Sequence, residues 1–153
     1  MIKLPKSDKT FQVYFFTSRA NRPYQMFVHP WVVTVHKGVI HRWEIINRKY
    51  ENKDRSGFVY KNFYVNPTQG IKKSPSSKEY WDSKLIGFTV GQEGSLAETM
   101  IKFIQTQAFN YQYKEKYTLY PGPNSNTFVQ WIINQFPESN IKLPWNAIGK
   151  NYK

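Results

Sequence analysis

A chain of 153 residues with 40% hydrophobic content has material for one domain with a real core, and two full domains are not expected. Its 22 lysines and arginines against 10 acidic residues leave a formal net charge of +12, which draws the protein toward anionic partners at low salt without making it specific for any of them. Cysteine is absent, so disulfides, thiolate zinc sites and a thiol nucleophile are excluded.

Residues 1–6 lack the apolar stretch of a signal peptide, and no apolar run in the chain is long enough to cross a bilayer. The expectation is a cytoplasmic protein, with peripheral membrane association compatible with its charge. Residues 11–17 are aromatic and β-branched and read as a strand ending near Asn21-Arg22-Pro23. Residues 31–36 and 39–46 flank Lys37-Gly38 and read as a tight hairpin, Gly38 taking the left-handed backbone of a two-residue turn. That turn sets His36 opposite Val39, His41 opposite Thr34 and Glu44 opposite Trp31, and the register extrapolates to His29 opposite Ile46. Alternation then puts His29 and Glu44 on one face and His41 on the other.

The mixed-sign run at 48–55 reads as a solvated loop, residues 58–65 as a strand, 67–83 as a polar loop carrying Lys72, Lys73 and Lys78, and 85–90 as a further strand. Ser95 with Glu98 has capping-box spacing before the stripe Leu96, Met100, Phe103, Ile104 and Ala108. Tyr111, Tyr113, Tyr117 and Tyr120 follow; packing over a core is preferred for them to stacking on bases or sugars. Asn124 is a good N-cap, which puts Ser125 in the first turn of a helix whose stripe Phe128, Trp131, Ile132 and Phe136 ends at Pro137. The segment 138–153 is expected to pack back on the domain, since Trp145 and Ile148 are costly to leave together in solvent. The fold class is α+β: one domain, 1–153, with an antiparallel sheet packed against two main helices.

A hydroxyl at a helix N-terminus faces unpaired backbone N–H groups that favour developing negative charge, so Ser125 is the candidate nucleophile. It needs a base, and the histidines are His29, His36 and His41. His29 stands at the mouth of the hairpin, with Glu44 or His41 as the group that orients it. Asn124, Asn126, Tyr120 and Trp31 are the candidate substrate contacts. Each residue also has a plainer reading, in which Ser125 caps its helix, Asn124 holds the turn and His29 is a satisfied polar group at a strand end. The histidine spacing has no compact metal signature and no phosphate loop is present, so neither a metal nor a cofactor is expected.

The segment Tyr120-Pro121-Gly122-Pro123-Asn124-Ser125-Asn126-Thr127-Phe128 resembles the bacterial DUF3750 family, as do His29-Pro30-Trp31, Arg42-Trp43-Glu44 and the ending from Leu143 to Tyr152. More distantly the chain is similar to circularly permuted papain-like proteins of the NlpC/P60 and lecithin-retinol-acyltransferase kind. In that group a histidine starts a strand hairpin, a polar residue lies on the next strand, and a cysteine follows later at a helix N-terminus in an Asn-Cys-x-x-Phe setting. The resemblance matches His29 to that histidine, His41 or Glu44 to the polar residue, and Ser125 to the cysteine. Serine in place of cysteine is the main departure: a hydroxyl is a far weaker acid than a thiol and must surrender its proton during attack.

The resemblance implies a permuted papain-like fold and a serine hydrolase or acyltransferase acting on an amide or ester, with peptidoglycan peptides, lipids and protein amides among its substrates. The second expectation is a non-catalytic binding module that keeps the cleft for an envelope polymer, lipid or peptide. Its partner would be a small molecule, a peptide or an anionic envelope component. Nucleic-acid binding ranks third, because the lysines are dispersed along the chain rather than gathered with aromatics.

Overall fold

A computed structural model of the protein describes residues 2–48 and 56–153; residues 49–55 of the mixed-sign run lie outside the described residues. The described elements are β1 (Phe11–Arg19), β2 (Val28–His36), β3 (Val39–Asn47), β4 (Gly57–Lys61), β5 (Lys84–Gly91), α1 (Leu96–Gln107) and α2 (Ser125–Asn134), with single 3-10 turns at Ala108–Asn110 and Pro137–Ser139. The strands form one antiparallel five-stranded sheet in the order β4-β3-β2-β1-β5. α1 lies on β1 and β5, and α2 on β2 and β3, so the fold is α+β with both helices against the sheet.

Both faces of the central strands are covered, which is why β1 and β2 read as nearly continuous apolar runs rather than alternating ones. On the helix face Val13, Phe15, Val32, Trp43 and Ile45 meet Met100, Ile104, Phe128 and Ile132. On the opposite face Tyr14, Phe16, Trp31, Val33 and Val35 form a second cluster, joined by Ile2 and Leu4 from the N-terminal segment. The 67–83 loop is structured. It carries buried Thr68 and Ile71, a bridge between Lys72 and Tyr80, and hydrogen bonds from Trp31 Nε1 to Pro67 O and from Ile71 N to Ser18 Oγ.

The Lys37-Gly38 turn sets His36 opposite Val39 and Thr34 opposite His41, the register expected from the sequence. Gly38 has φ +72, and a Cβ there would stand 3.5 Å from Asp8 Oδ1, so a substitution meets backbone strain rather than a clash. Gly38→Ala is therefore expected to lower unfolding free energy by about 1 kcal/mol in urea titration. β4 ends at Lys61, four residues short of the expected strand, because Asn62 turns left-handed (φ 63) and exchanges hydrogen bonds with the backbone of Arg42.

Ser95 caps α1 by accepting the Glu98 N–H, but the Glu98 carboxylate reaches one residue further back than a capping box requires, to Gly94 N at 2.6 Å. The C-terminal segment packs back through Ile141, Leu143 and Ala147, while Trp145 is 88% exposed. The expectation that Trp145 is covered was incorrect, since the other three side chains anchor the segment and Lys150 Nζ ties the carbonyls of Leu143 and Pro144. Trp145→Ala is accordingly expected to change thermal stability by less than about 0.5 kcal/mol.

Candidate functional site

The site begins where β2 and β3 part. Their ladder ends at Val32 opposite Trp43, and the extrapolated His29–Ile46 pair is not made, because Pro30 has no N–H to donate. The parting strands leave room for Glu44 to reach diagonally to His29, whose Nε2 lies 2.8 Å from Glu44 Oε2. Arg42, two residues earlier on the same face of β3, donates from Nε to Glu44 Oε1 at 2.7 Å and from Nη2 to Oε2 at 3.0 Å. Glu44 and Arg42 are fully buried, and His29 nearly so.

Arg42 has the supports a buried guanidinium needs. Its flat face lies 4.0 Å from the centre of the Trp31 ring and 4.6 Å from that of Tyr64, and Nη1 donates to the carbonyls of Gln69 and Asn66. Burial alone would raise the Glu44 pKa, but the Arg42 charge and then the His29 contact outweigh it and hold the carboxyl below its usual value. Burial, followed by the Glu44 charge, pushes the Tyr64 hydroxyl up to about 12. Glu44 is thus a carboxylate at neutral pH, and it takes a proton donor on His29 Nε2. In the neutral ring the lone pair is then on Nδ1, the nitrogen able to act as a base.

Asn124 builds the start of α2. Its side-chain oxygen accepts from Asn126 N and Thr127 N, and Thr127 Oγ1 accepts the Asn124 N–H in return, a capping box that the sequence reading had identified only as an N-cap. Asn124 Nδ2 donates to Leu119 O and Ile148 O. Asn126 Nδ2 donates to Val28 O at 3.2 Å and to Ile148 O at 2.9 Å, which fastens the helix start to the residue before His29. Ser125 is 3% exposed, and the hydroxyl of half-buried Tyr117 lies near its side chain and its backbone N–H without a hydrogen bond of ordinary geometry to either. Burial raises the Tyr117 pKa, and those two contacts oppose the rise.

Ser125 and His29 therefore come to the same end of β2, but they approach it from different sides. His29 is in phase with Trp31, on the face away from the helices, whereas Ser125 opens a helix that packs on the other face. No hydrogen bond joins the two side chains among the described residues; His29 holds Glu44, and Ser125 meets Tyr117. His41 lies on the helix face beside Trp43, bonded to Asn62, so Glu44 rather than His41 holds the His29 ring. Of the candidate substrate contacts, Trp31 is wholly buried as the platform under Arg42, and Asn124 and Asn126 are buried and engaged internally. Tyr120 is 76% exposed, while Tyr111, Tyr113 and Tyr117 pack against the helix-side core.

Sequence reasoning missed Arg42 and Tyr117. Arg42-x-Glu44 on a strand puts both side chains on one face, a signal that was available. Nothing in the spacing of Tyr117 and Ser125 announces their contact, because an irregular loop separates them. Among the described residues no group of three or more His, Cys, Asp or Glu side chains could hold a metal ion, and no helix is long and apolar enough to cross a membrane.

Searches of the curated proteins and of the solved structures found nothing similar to this chain. The residues that build the site, from His29 through Arg42 and Glu44 to Asn124, Ser125 and the closing Ile148-Gly149, all fall within the stretch 8–152, which matches the family described as a protein of unknown function, DUF3750, and the chain belongs to that family.

Proposed function

We propose that this protein is a serine hydrolase or acyltransferase acting on an amide or ester, in an arrangement like that of the permuted papain-like proteins. The observation that carries the reading is the His29 Nε2–Glu44 Oε2 contact at 2.8 Å, with Glu44 clamped by Arg42 and Nδ1 left as the basic nitrogen. Asn126 adds support by fastening the first turn of α2 beside His29.

In the reaction, Ser125 Oγ attacks the substrate carbonyl carbon and its proton passes to His29 Nδ1, which requires the two side chains, set on opposite faces here, to meet around the end of β2. Glu44 stabilises the imidazolium, and His29 returns the proton to the departing amine or alcohol. Water or a second acceptor then attacks the acyl-serine with His29 again as base. Asn126 N–H and Thr127 N–H are engaged by Asn124, so the Ser125 N–H is the helix donor for the oxyanion. The Tyr117 hydroxyl, already beside that N–H, supplies the second donor.

A second reading, a non-catalytic binding module, is favoured by the burial of Ser125 and its place near Tyr117 on the helix side of the sheet. Labelling with a fluorophosphonate separates the two. The acyl-transfer reading expects wild-type protein to label, Ser125→Ala not to label, and His29→Gln to label slower by about 100-fold or more. Folded wild-type protein that takes no label would sink this reading and leave the binding module.

A further inference from the structure

A second chemical environment lies at the tip of the hairpin, on the helix face, away from the pair formed by His29 and Glu44. A cavity of about 230 Å³ is lined by Thr34, His36, Lys37, Val39, His41, Ile101 and Gln105. The hydrogen bonds around it fix the tautomer of one of its histidines. The Arg42 backbone N–H can only donate, so the Asn62 atom it meets at 2.8 Å is the amide oxygen. The Asn62 amide nitrogen is then the atom 3.1 Å from His41 Nδ1, and it too can only donate. His41 Nδ1 is therefore an acceptor, and the ring carries its proton on Nε2.

Burial, with the Lys61 charge second, lowers the His41 pKa and keeps this neutral donor form. The His36 ring is held flat against Phe11 at 3.9 Å, and its Nδ1 is buried without a hydrogen-bond partner. Lys37 adds a cation and Gln105 an amide, while Val39 and Ile101 supply an apolar wall. Lys61 adds positive charge near His41. Two carboxylates stand nearby: Glu98, paired with Lys102 at 2.9 Å and with Gly94 N, whose charge also reaches His36, and Asp8, which stands by Gly38 at the turn.

We infer that this cavity binds a small carboxylate with a short apolar tail, the carboxylate received by Lys37, His41 and Gln105 and the tail laid against Ile101 and Val39. The lining asks for an acceptor-rich head, because the Lys37 ammonium can only donate and the unbonded His41 nitrogen carries the ring proton, and for a short tail, because the cavity is small. The inference is independent of the acyl-transfer reading and uses none of its residues.

The chain's three histidines make the test direct, since each gives one imidazole Cε1–H signal in a carbon-edited NMR spectrum and His29 serves as the internal control. Titration of the full chain with sodium butyrate is expected to shift the His36 and His41 signals saturably, with an apparent Kd below about 10 mM, and to leave His29 unmoved. Matched sodium chloride should move none of them in this way. Lys37 has φ 49, so Lys37→Asn removes the charge with a residue that tolerates the left-handed turn. That variant should bind butyrate about tenfold more weakly, as should Gln105→Leu, whereas Ser125→Ala should bind like the wild type. Shifts that rise linearly without saturation, that are equal at all three histidines, or that are unchanged in both Lys37→Asn and Gln105→Leu would overturn the inference.

Discussion

Arg42→Met is expected to lower the unfolding free energy by about 3–5 kcal/mol, because it leaves the Glu44 carboxylate buried and facing only His29. The wild-type guanidinium makes two hydrogen bonds to that carboxylate, donates to two loop carbonyls and lies between the Trp31 and Tyr64 rings. Methionine keeps some of the packing and none of the charge. The double variant Arg42→Met with Glu44→Leu should recover much of the loss, since a buried ion pair replaced on both sides by apolar groups is often neutral or stabilising. Urea titration of the wild type and these two variants checks the order, and a single variant within about 1 kcal/mol of wild type would contradict it.

The same pair carries a pH signature. Glu44 has a pKa depressed in the folded state, so its contribution is fully present above the unfolded value near 4.5 and is lost as pH falls through the lower folded value. Glu44→Gln should remove that part of the acid limb of the stability profile. Measured against wild type, its stability should change less as pH falls below about 4.5.

The second large effect is expected at Asn124, where ordinary helix-capping experience gives the wrong answer. At an exposed N-cap aspartate serves about as well as asparagine. Here Asn124 is 2% exposed, and its amide nitrogen donates to the carbonyls of Leu119 and Ile148 while its oxygen caps α2. Asn124→Asp keeps the cap but aims a carboxylate at two carbonyl oxygens, which costs roughly 3 kcal/mol or more. The surroundings have no slack, since a Cβ on Gly149 would run into Asn124 Nδ2. Asn124→Ala loses the cap and the donors but adds no buried charge, so it should be less damaging than Asn124→Asp. Thermal denaturation of both variants at neutral pH gives the order; an aspartate variant as stable as wild type would mean the amide contacts are unimportant.

How much of this was legible beforehand depended on whether the controlling interactions were local. The hairpin turn, its register and the separation of His29 and Glu44 from His41 follow from a two-residue turn and a period of two. The start of α2 follows from Asn124 and the stripe behind it. The length of β4 did not follow, because Asn62 ends the strand through hydrogen bonds to Arg42 twenty residues earlier. Exposure of Trp145 did not follow either, because Ile141, Leu143 and Ala147 were sufficient anchors and hydrophobicity alone does not rank competing anchors.

The sequence by itself determined the α+β class, the hairpin, the two helices with their caps and the residue types able to do acyl chemistry, since each rests on contacts within a few positions of the chain. Tertiary structure alone decided that Arg42, beside the Trp31 and Tyr64 rings, would clamp Glu44, that His29 and Ser125 would approach one strand end from opposite faces, and that Tyr117 would stand near the serine. Those outcomes depend on where the parting of β2 and β3 and the irregular loops carry side chains from distant positions, and local periodicity holds no information about that.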